Sequence, residues 1–183
     1  MNILNYKMFN EAKCREFQDF DIETKTIVDT NTGNSYSIFF GKNAKSNDFL
    51  THNFSGKYAK AIRNIEPSIN DVWMHAKGVP GSHLIIKTIK DDIIPMNVIK
   101  DAALIAKKNS KAKDTVDAEI VWCKKDFVSK TPIGQLKSIL DDINLKKESG
   151  IELDKKDIEI LDKSIQKEGR VFVDYTNSNI ILI

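Results

Sequence analysis

Two of the three histidines, His75 and His83, fall in one short stretch, DVWMHAKGVPGSH (Asp71 to His83); the third is His52. Asp71, His75 and Ser82 supply the residue types of a hydrolytic triad. The stretch lacks the strained nucleophile turn and the oxyanion-hole glycines that acyl transfer requires. No cysteine or carboxylate stands at a metal-ligand spacing beside the histidines, and no P-loop, GxGxxG or HExxH is present. A hydrolase or nuclease built on Asp71, His75 and His83 therefore has an incomplete set of roles. Two readings remain for the histidines: hydrogen bonds within a sheet, or contact with a phosphate or a base. Paired acids such as Asp91-Asp92 and Asp141-Asp142 read as turn and solvated-helix residues. Cys14 and Cys123 are far apart and have no CxxC partner, so they read as ordinary thiols and not as a zinc framework or a disulfide.

The second kind of chemistry is anion binding. GKNAKSND (Gly41 to Asp48) sets two Lys, two Asn and a Ser around a predicted helix start, where backbone N–H groups and Lys make a phosphate seat. Alone, such a stretch reads equally well as solvated surface. Lys107, Lys108, Lys111 and Lys113 cluster where the main helix should end, and there they also favour the helix dipole. Lys124, Lys125 and Lys130 follow a strand that contains Trp122. Trp73 and Trp122 have the faces to stack on bases, yet each alternates with apolar neighbours as a core residue does.

The elements that must hold these residues alternate between strand and helix. Residues 17–28 and 34–41 are predicted as a hairpin across DTNTGNS, which is dense in turn formers. Residues 43–53 fit a short helix, and 56–70 a loop or short helical excursion. Strands at 71–76 and 82–89 are separated by KGVPG. Pro95 opens the clearest helix; Val98, Ala102, Ile105 and Ala106 keep its spacing to Asn109-Ser110. Strands follow at 116–123 and 126–129. Residues 133–168 are helical in texture, with Ile151, Ile158, Leu161 and Ile165 set to share a face of a helix beginning near Asp154. GRVFVDYTNSNIILI closes the chain as a hairpin: strand, turn at Thr176–Ser178, and strand. The expected class is α+β: a mixed or antiparallel sheet with one main packed helix, plus a helical insertion.

Read in order, the strings YSIFFGKNAKSNDFLT, DVWMHAKGVPGSHLIIK, IPMNVIKDAALIAKKNSKAK and AEIVWCKKDFVSK closely resemble the NFACT-R domain. That domain is the RNA-binding module of NFACT proteins, ribosome-quality-control factors that act on obstructed large ribosomal subunits. Gly41, Asn43, Asn47 and Asp48 match its first block. Asp71, Trp73, His75, Pro80, Gly81, Ser82 and His83 match the second. Ala102, Ala103, Ala106 and Ser110 match the third, and Val128 and Lys130 the fourth. The resemblance covers residues 34–130 and resumes at 169–183. Lys42 stands in place of the family's Arg and keeps the charge but not the bidentate fork. Met74 replaces an aromatic, residues 54–70 lengthen one connection, and 133–168 is an insertion. Gly169-Arg170-Val171 is preferred over Gly134-Gln135-Leu136 as the family's closing G-x-V.

The resemblance implies one domain over 1–183, a stand-alone version of the module without the family's N-terminal catalytic-like domain. It implies a non-enzymatic protein that needs no cofactor or metal. The expected ligand is tRNA or ribosomal RNA, with the large ribosomal subunit as a partner; DNA binding is an alternative. Lys42, Lys45, Lys124, Lys125 and Lys130 are the phosphate candidates. Asn43, Asn47 and His75 are candidates for sugar or base. Gly41, Asp48, Asp71, Trp73, Pro80, Gly81, Ser82 and His83 are the structural motif. A second hypothesis is a protein-interaction or self-association module acting through 133–168, against which stands the ordinary case of a lid packed on its own sheet.

Composition fits these expectations without selecting among them. The chain has 183 residues, 41% apolar and 30% charged, enough for one domain with its own core. No apolar run reaches the ~20 residues of a membrane span, and the N-terminus meets charge too early for a signal peptide, so a cytoplasmic location is expected. Net charge is only +2. Most of the basic residues of the first 132 positions fall beyond residue 29, in the segment holding the motif blocks, while the first 29 residues and the insertion carry more acids than bases. The Lys excess over Arg reads as codon bias; its placement is what an RNA-binding face needs.

Overall fold

A computed structural model of the chain describes residues 20–53, 70–88, 92–164 and 169–183. The expected excursion at 56–70 lies outside these but for Asn70, as do residues 17–19 of the first predicted strand.

Eight strands and four helices form in the described residues. In chain order they are β1 (Ile22–Val28), β2 (Ser35–Gly41), α1 (Ala44–Asp48), β3 (Val72–Ala76), β4 (Leu84–Lys87), α2 (Met96–Lys108), β5 (Glu119–Lys124), β6 (Val128–Ser129), α3 (Gly134–Glu148), α4 (Lys155–Ser164), β7 (Phe172–Val173) and β8 (Asn179–Leu182). Six strands make one sheet in the order β1-β2-β4-β3-β5-β8, every neighbouring pair antiparallel. The fold is α+β. The β1–β2 turn forms where Asp29 through Asn34 predicted it: the Asp29 carboxylate accepts from Asn31 N–H and the Thr32 hydroxyl, and Gly33 takes φ +73°.

Alternation along the strands sends apolar side chains to both faces. Ile38, Phe40, Val72, Met74, Leu84, Ile86 and Ile120 meet Val98, Ile99, Ala102, Ala103 and Ala106 of α2 on one face. The alanines let the helix sit close. Phe39, Trp73, Ile85, Val121 and Cys123 point the other way, under Phe49, Leu50 and Val128. That second layer is irregular: α1, a single π-helical turn at Phe49–Asn53, and the two-stranded β6–β7 ladder. Both faces are thus covered: β4 is buried throughout, and β2 and β3 are buried but for half-buried Ser35, Ser37 and His75.

The closing segment corrects one expectation. Residues 171–182 do not make a hairpin. β7 pairs with β6 while β8 pairs with β5 at the sheet edge, so the turn at Tyr175–Asn177 passes the chain from one layer to the other. Gly134 begins a helix, and the closing strand follows Gly169 instead.

The insertion forms as α3 and α4, and Ile158 and Leu161 lie one turn apart on α4, but the stripe is not buried. Ile151 and Ile158 are exposed, while Asp157 is buried and paired with Lys146 at 2.9 Å; Ile165 lies outside the described residues. The α3 end is closed by Gly150 at φ +71°: Gly150 N–H reaches Lys147 O and Ile151 N–H reaches Lys146 O. Such a cap lays the residue after the glycine against the last turn, which is why Ile151 and Leu145 line one shallow depression. The insertion's buried apolar side chains among the described residues, Leu140 and Ile143, belong to neither core cluster.

Candidate nucleic-acid interface

Three motif blocks meet at one end of the sheet. Asn43 caps α1: its side chain accepts from Ser46 N–H at 2.9 Å, and the Ser46 hydroxyl accepts from Asn43 N–H at 3.0 Å. The cap holds α1 so that Asn47 faces inward. The Asn47 amide donates to Gly81 O at 3.1 Å and accepts from His83 N–H at 2.9 Å. Gly81 also forms a β-bridge with Ser110, Ser82 N–H donates to Asn109 O, and Lys111 N–H donates to Pro80 O at 2.9 Å. The first block, the PGSH turn and the end of α2 are therefore tied into one knot.

Two glycines are needed for that closeness. A Cβ on Gly41 would lie 2.5 Å from Asn47 Oδ1, and one on Gly81 would lie 2.7 Å from Ser110 Cβ. Gly41 N–H in turn donates to His83 O at 3.2 Å.

His83 is buried in the knot. The Thr51 hydroxyl has one hydrogen, given to Asn47 O at 2.9 Å, so the 2.7 Å contact between Thr51 Oγ1 and His83 Nδ1 takes its hydrogen from the ring. The 3.3 Å approach of Nδ1 to Asn47 O requires the same tautomer. His75 lies half-buried beside it. The rings of Trp73, His75 and His83 form a cluster with centroids 5.2 to 5.9 Å apart. Burial pushes the His75 pKa down, against an opposing bond to the Gly81 backbone. His75 is thus a neutral ring at pH 7. Trp73 is buried beneath it, and its Nε1 has no partner among the described residues. Trp73 cannot present a face to a base, and Trp122 packs partly buried against the α2 side.

The structure divides the predicted cations into two groups. Lys42, Lys45 and Lys130 lie at the knot. Lys42 pairs with Glu23 and Lys130 with Asp48, while Lys45 sits over the Phe20 ring at 5.2 Å. Lys124 and Lys125 lie elsewhere: Lys124 is in register with Val72, four residues along β3 from Ala76. That is roughly 13 Å at the rise of a strand. There the Asp71 carboxylate is buried, pairs with buried Lys87 and accepts from Thr88 N–H at 3.1 Å. Lys125 is half-buried beside them, and desolvation pushes its pKa down. Of this group only Lys124 is exposed.

Asp48 does more than close the first block. Besides Lys130 it accepts Gly169 N–H at 2.9 Å. Gly169 takes φ +78°, and a Cβ there would lie 2.8 Å from Ala44 Cβ. Both roots of the 133–168 insertion are therefore fastened to α1.

Reading the sequence for single motifs passed over the cations that the knot gathers. Lys108, Lys111 and Lys113 are exposed, have no carboxylate partner among the described residues, and join the PGSH turn through Ser110 and Lys111. Their signal was the KKNSKAK string, which a helix-dipole explanation absorbed. Cys123 is buried, and its thiol pKa is pushed up to about 12, chiefly by burial. No group of three His, Cys, Asp or Glu among the described residues is arranged to hold a metal. No helix among them is long and apolar enough to cross a membrane.

Exposed lysines thus stand around a knot of mutually bonded polar groups and offer point charges suited to phosphate. Comparison with known proteins places it more closely. The chain belongs to the family of NFACT protein RNA binding domains, whose model matches residues 25–138. It is 32% identical over 94 residues to the Rqc2 homolog RqcH of Bacillus subtilis (strain 168), and 34% identical over 91 residues to the RqcH of Streptococcus suis (strain 05ZYH33). Those matches cover 51% and 48% of this chain but only 14% of either relative. The C-terminal structure of the fibronectin/fibrinogen-binding protein from Streptococcus suis shares the fold, with TM-score 0.51 and 22% identity over 88% of this chain and 45% of that one.

Proposed function

We propose that the chain is a non-enzymatic, cytoplasmic RNA-binding module that takes tRNA or ribosomal RNA and acts in ribosome quality control. The observation that carries the reading is the cation rim at the knot: Lys45, Lys108, Lys111 and Lys113, exposed and without carboxylate partners among the described residues. These are point charges suited to phosphate, so affinity comes mainly from counterion release and falls steeply with salt. Asn43 and Asn47 are committed to the fold, as are Asp71 and His83, and they act by holding the rim. His75 is the polar ring nearest the rim with an exposed part, and it supplies a neutral donor or a stacking face to a sugar or base. The ribosomal role rests on the RqcH relatives, which this chain matches over a small share of their length.

Fluorescence anisotropy with labelled tRNA, an rRNA fragment and duplex DNA of equal length, from low to physiological salt, tests the reading. Binding to an RNA with a strong salt slope, weakened by a Lys45→Ala/Lys111→Ala/Lys113→Ala variant, supports it. Folded protein that binds none of the three at any salt overturns it, and equal affinity for the DNA overturns the RNA preference.

A further inference from the structure

The two edges of the six-stranded sheet are built differently. β1 is guarded: Glu23, Lys25 and Thr26 are exposed along it, and charge on an edge strand discourages pairing with another chain. β8 has no charge, no proline and no bulge in Asn179–Leu182. Ile183 and Ala118 exchange both backbone hydrogen bonds, so the ladder's phase turns the N–H and C=O of Ile180 and Leu182 away from β5. Among the described residues no strand takes them. On the same strand the Ile180 and Leu182 side chains are 47% and 60% exposed, an apolar pair beside open backbone groups.

We propose that β8 is a self-pairing edge that joins two copies of this chain antiparallel about a two-fold axis through Ile181, extending each sheet into the other. The register sets Ile180 opposite Leu182 of the second copy. It satisfies all of the outward backbone groups of both residues and gathers four aliphatic side chains on one face. A second copy fits because the strand is neutral and meets itself without like-charge repulsion, and because an isologous contact closes at two. The strand is short and the area it covers is below that of a standard interface, so the association is weak and appears at high protein concentration.

Sedimentation velocity of the full chain from about 10 μM to about 1 mM tests this range of weak affinity. The wild type should move from monomer towards dimer mass as concentration rises. Ile180→Lys should stay monomeric, because the ammonium would sit in the pairing register. Thr26→Lys, on the guarded edge, should behave as the wild type. Circular dichroism checks that each variant is folded, and Leu182→Glu serves in the same role if Ile180→Lys is not. A register readout comes from mixing Ile180→Cys and Leu182→Cys proteins, which should cross-link to each other faster than either does to itself. A wild type that remains monomeric throughout, or an Ile180→Lys protein that still dimerises, overturns the proposal.

Discussion

At the His83 end of the sheet the buried side chains include no carboxylate, and most of their partners are backbone. Asn47, Thr51 and His83 bond to one another and to backbone groups of two separate chain segments, α1 and the PGSH turn. At the Asp71 end the buried groups are charged, and a carboxylate takes up an ammonium of the sheet. The difference decides where cations are left for a ligand. A knot without a buried carboxylate needs no lysine to complete it, so those around it stay outside. A buried aspartate draws Lys87 inward, and Lys125 is half-buried beside it. The same motif block, Asp71 to His83, therefore serves two ends of the molecule with opposite electrostatic results.

The harshest way to break the comparison is to remove the charge at the Asp71 end. Asp71→Ala leaves the Lys87 ammonium buried opposite a methyl group. Loss of one partner of a buried pair costs about 3–5 kcal/mol, which chemical denaturation should show. An Asp71→Leu/Lys87→Met double variant should recover most of that loss, since neither charge then remains. A double variant as unstable as the single one would mean that the carboxylate matters through Thr88 instead.

The His83 end should yield less. Asn47→Ala strips His83 N–H of its acceptor and Gly81 O of a donor, on the order of 2 kcal/mol at the usual cost of unsatisfied buried groups. Asn43→Ala loses only a cap, about 1 kcal/mol. Denaturation midpoints for the pair should fall in that order; equal losses would show that the knot does not depend on Asn47.

How much of this could be read from the chain differs between the two ends. The strands, the Pro95 helix and the turn at Asp29 were legible because alternation, helical spacing and turn residues are local signals. So was the motif string. What the string could not tell was whether Asn43 and Asn47 face a ligand or the protein. Both roles need an amide at a helix start, and the partner that decides it, Gly81, lies 34 positions from Asn47. Lys124 and Lys125 were grouped with Lys42 by charge alone, and only the register of β3 against β5 separates them. The closing segment read as a hairpin because strand–turn–strand is the same string whether the second strand returns to the first or crosses to another sheet.

The rim can be tested against the far end by single lysines. Each phosphate contact contributes nearly one to the slope of log affinity against log salt. Lys111→Ala should therefore weaken RNA binding roughly five- to ten-fold near 0.1 M salt and flatten the slope by about one unit. Lys124→Ala, with its exposed lysine at the other end, should change both far less. Anisotropy titrations at three salt concentrations read both quantities, with unfolding midpoints unchanged in each variant. Equal losses at the two positions would mean that the ligand spans the sheet.

The smallest effect is carried by His75, and its sign is fixed. Burial lowers its pKa in the folded chain, so the unfolded chain takes up the proton first as pH falls. Stability from this group is complete above the unfolded imidazole value, near 6.5, and is lost as pH falls from there towards the lower folded value. His75→Phe keeps a ring over Trp73 and removes the proton. Its stability should therefore be flatter than the wild type's between about pH 7 and pH 5, a difference that grows on acidification. Parallel curves would place the titrating group elsewhere. The same variant separates the two uses of the ring: RNA affinity kept by Phe but lost in His75→Ala means that a base stacks there, and affinity lost in both means that a ring nitrogen makes the contact.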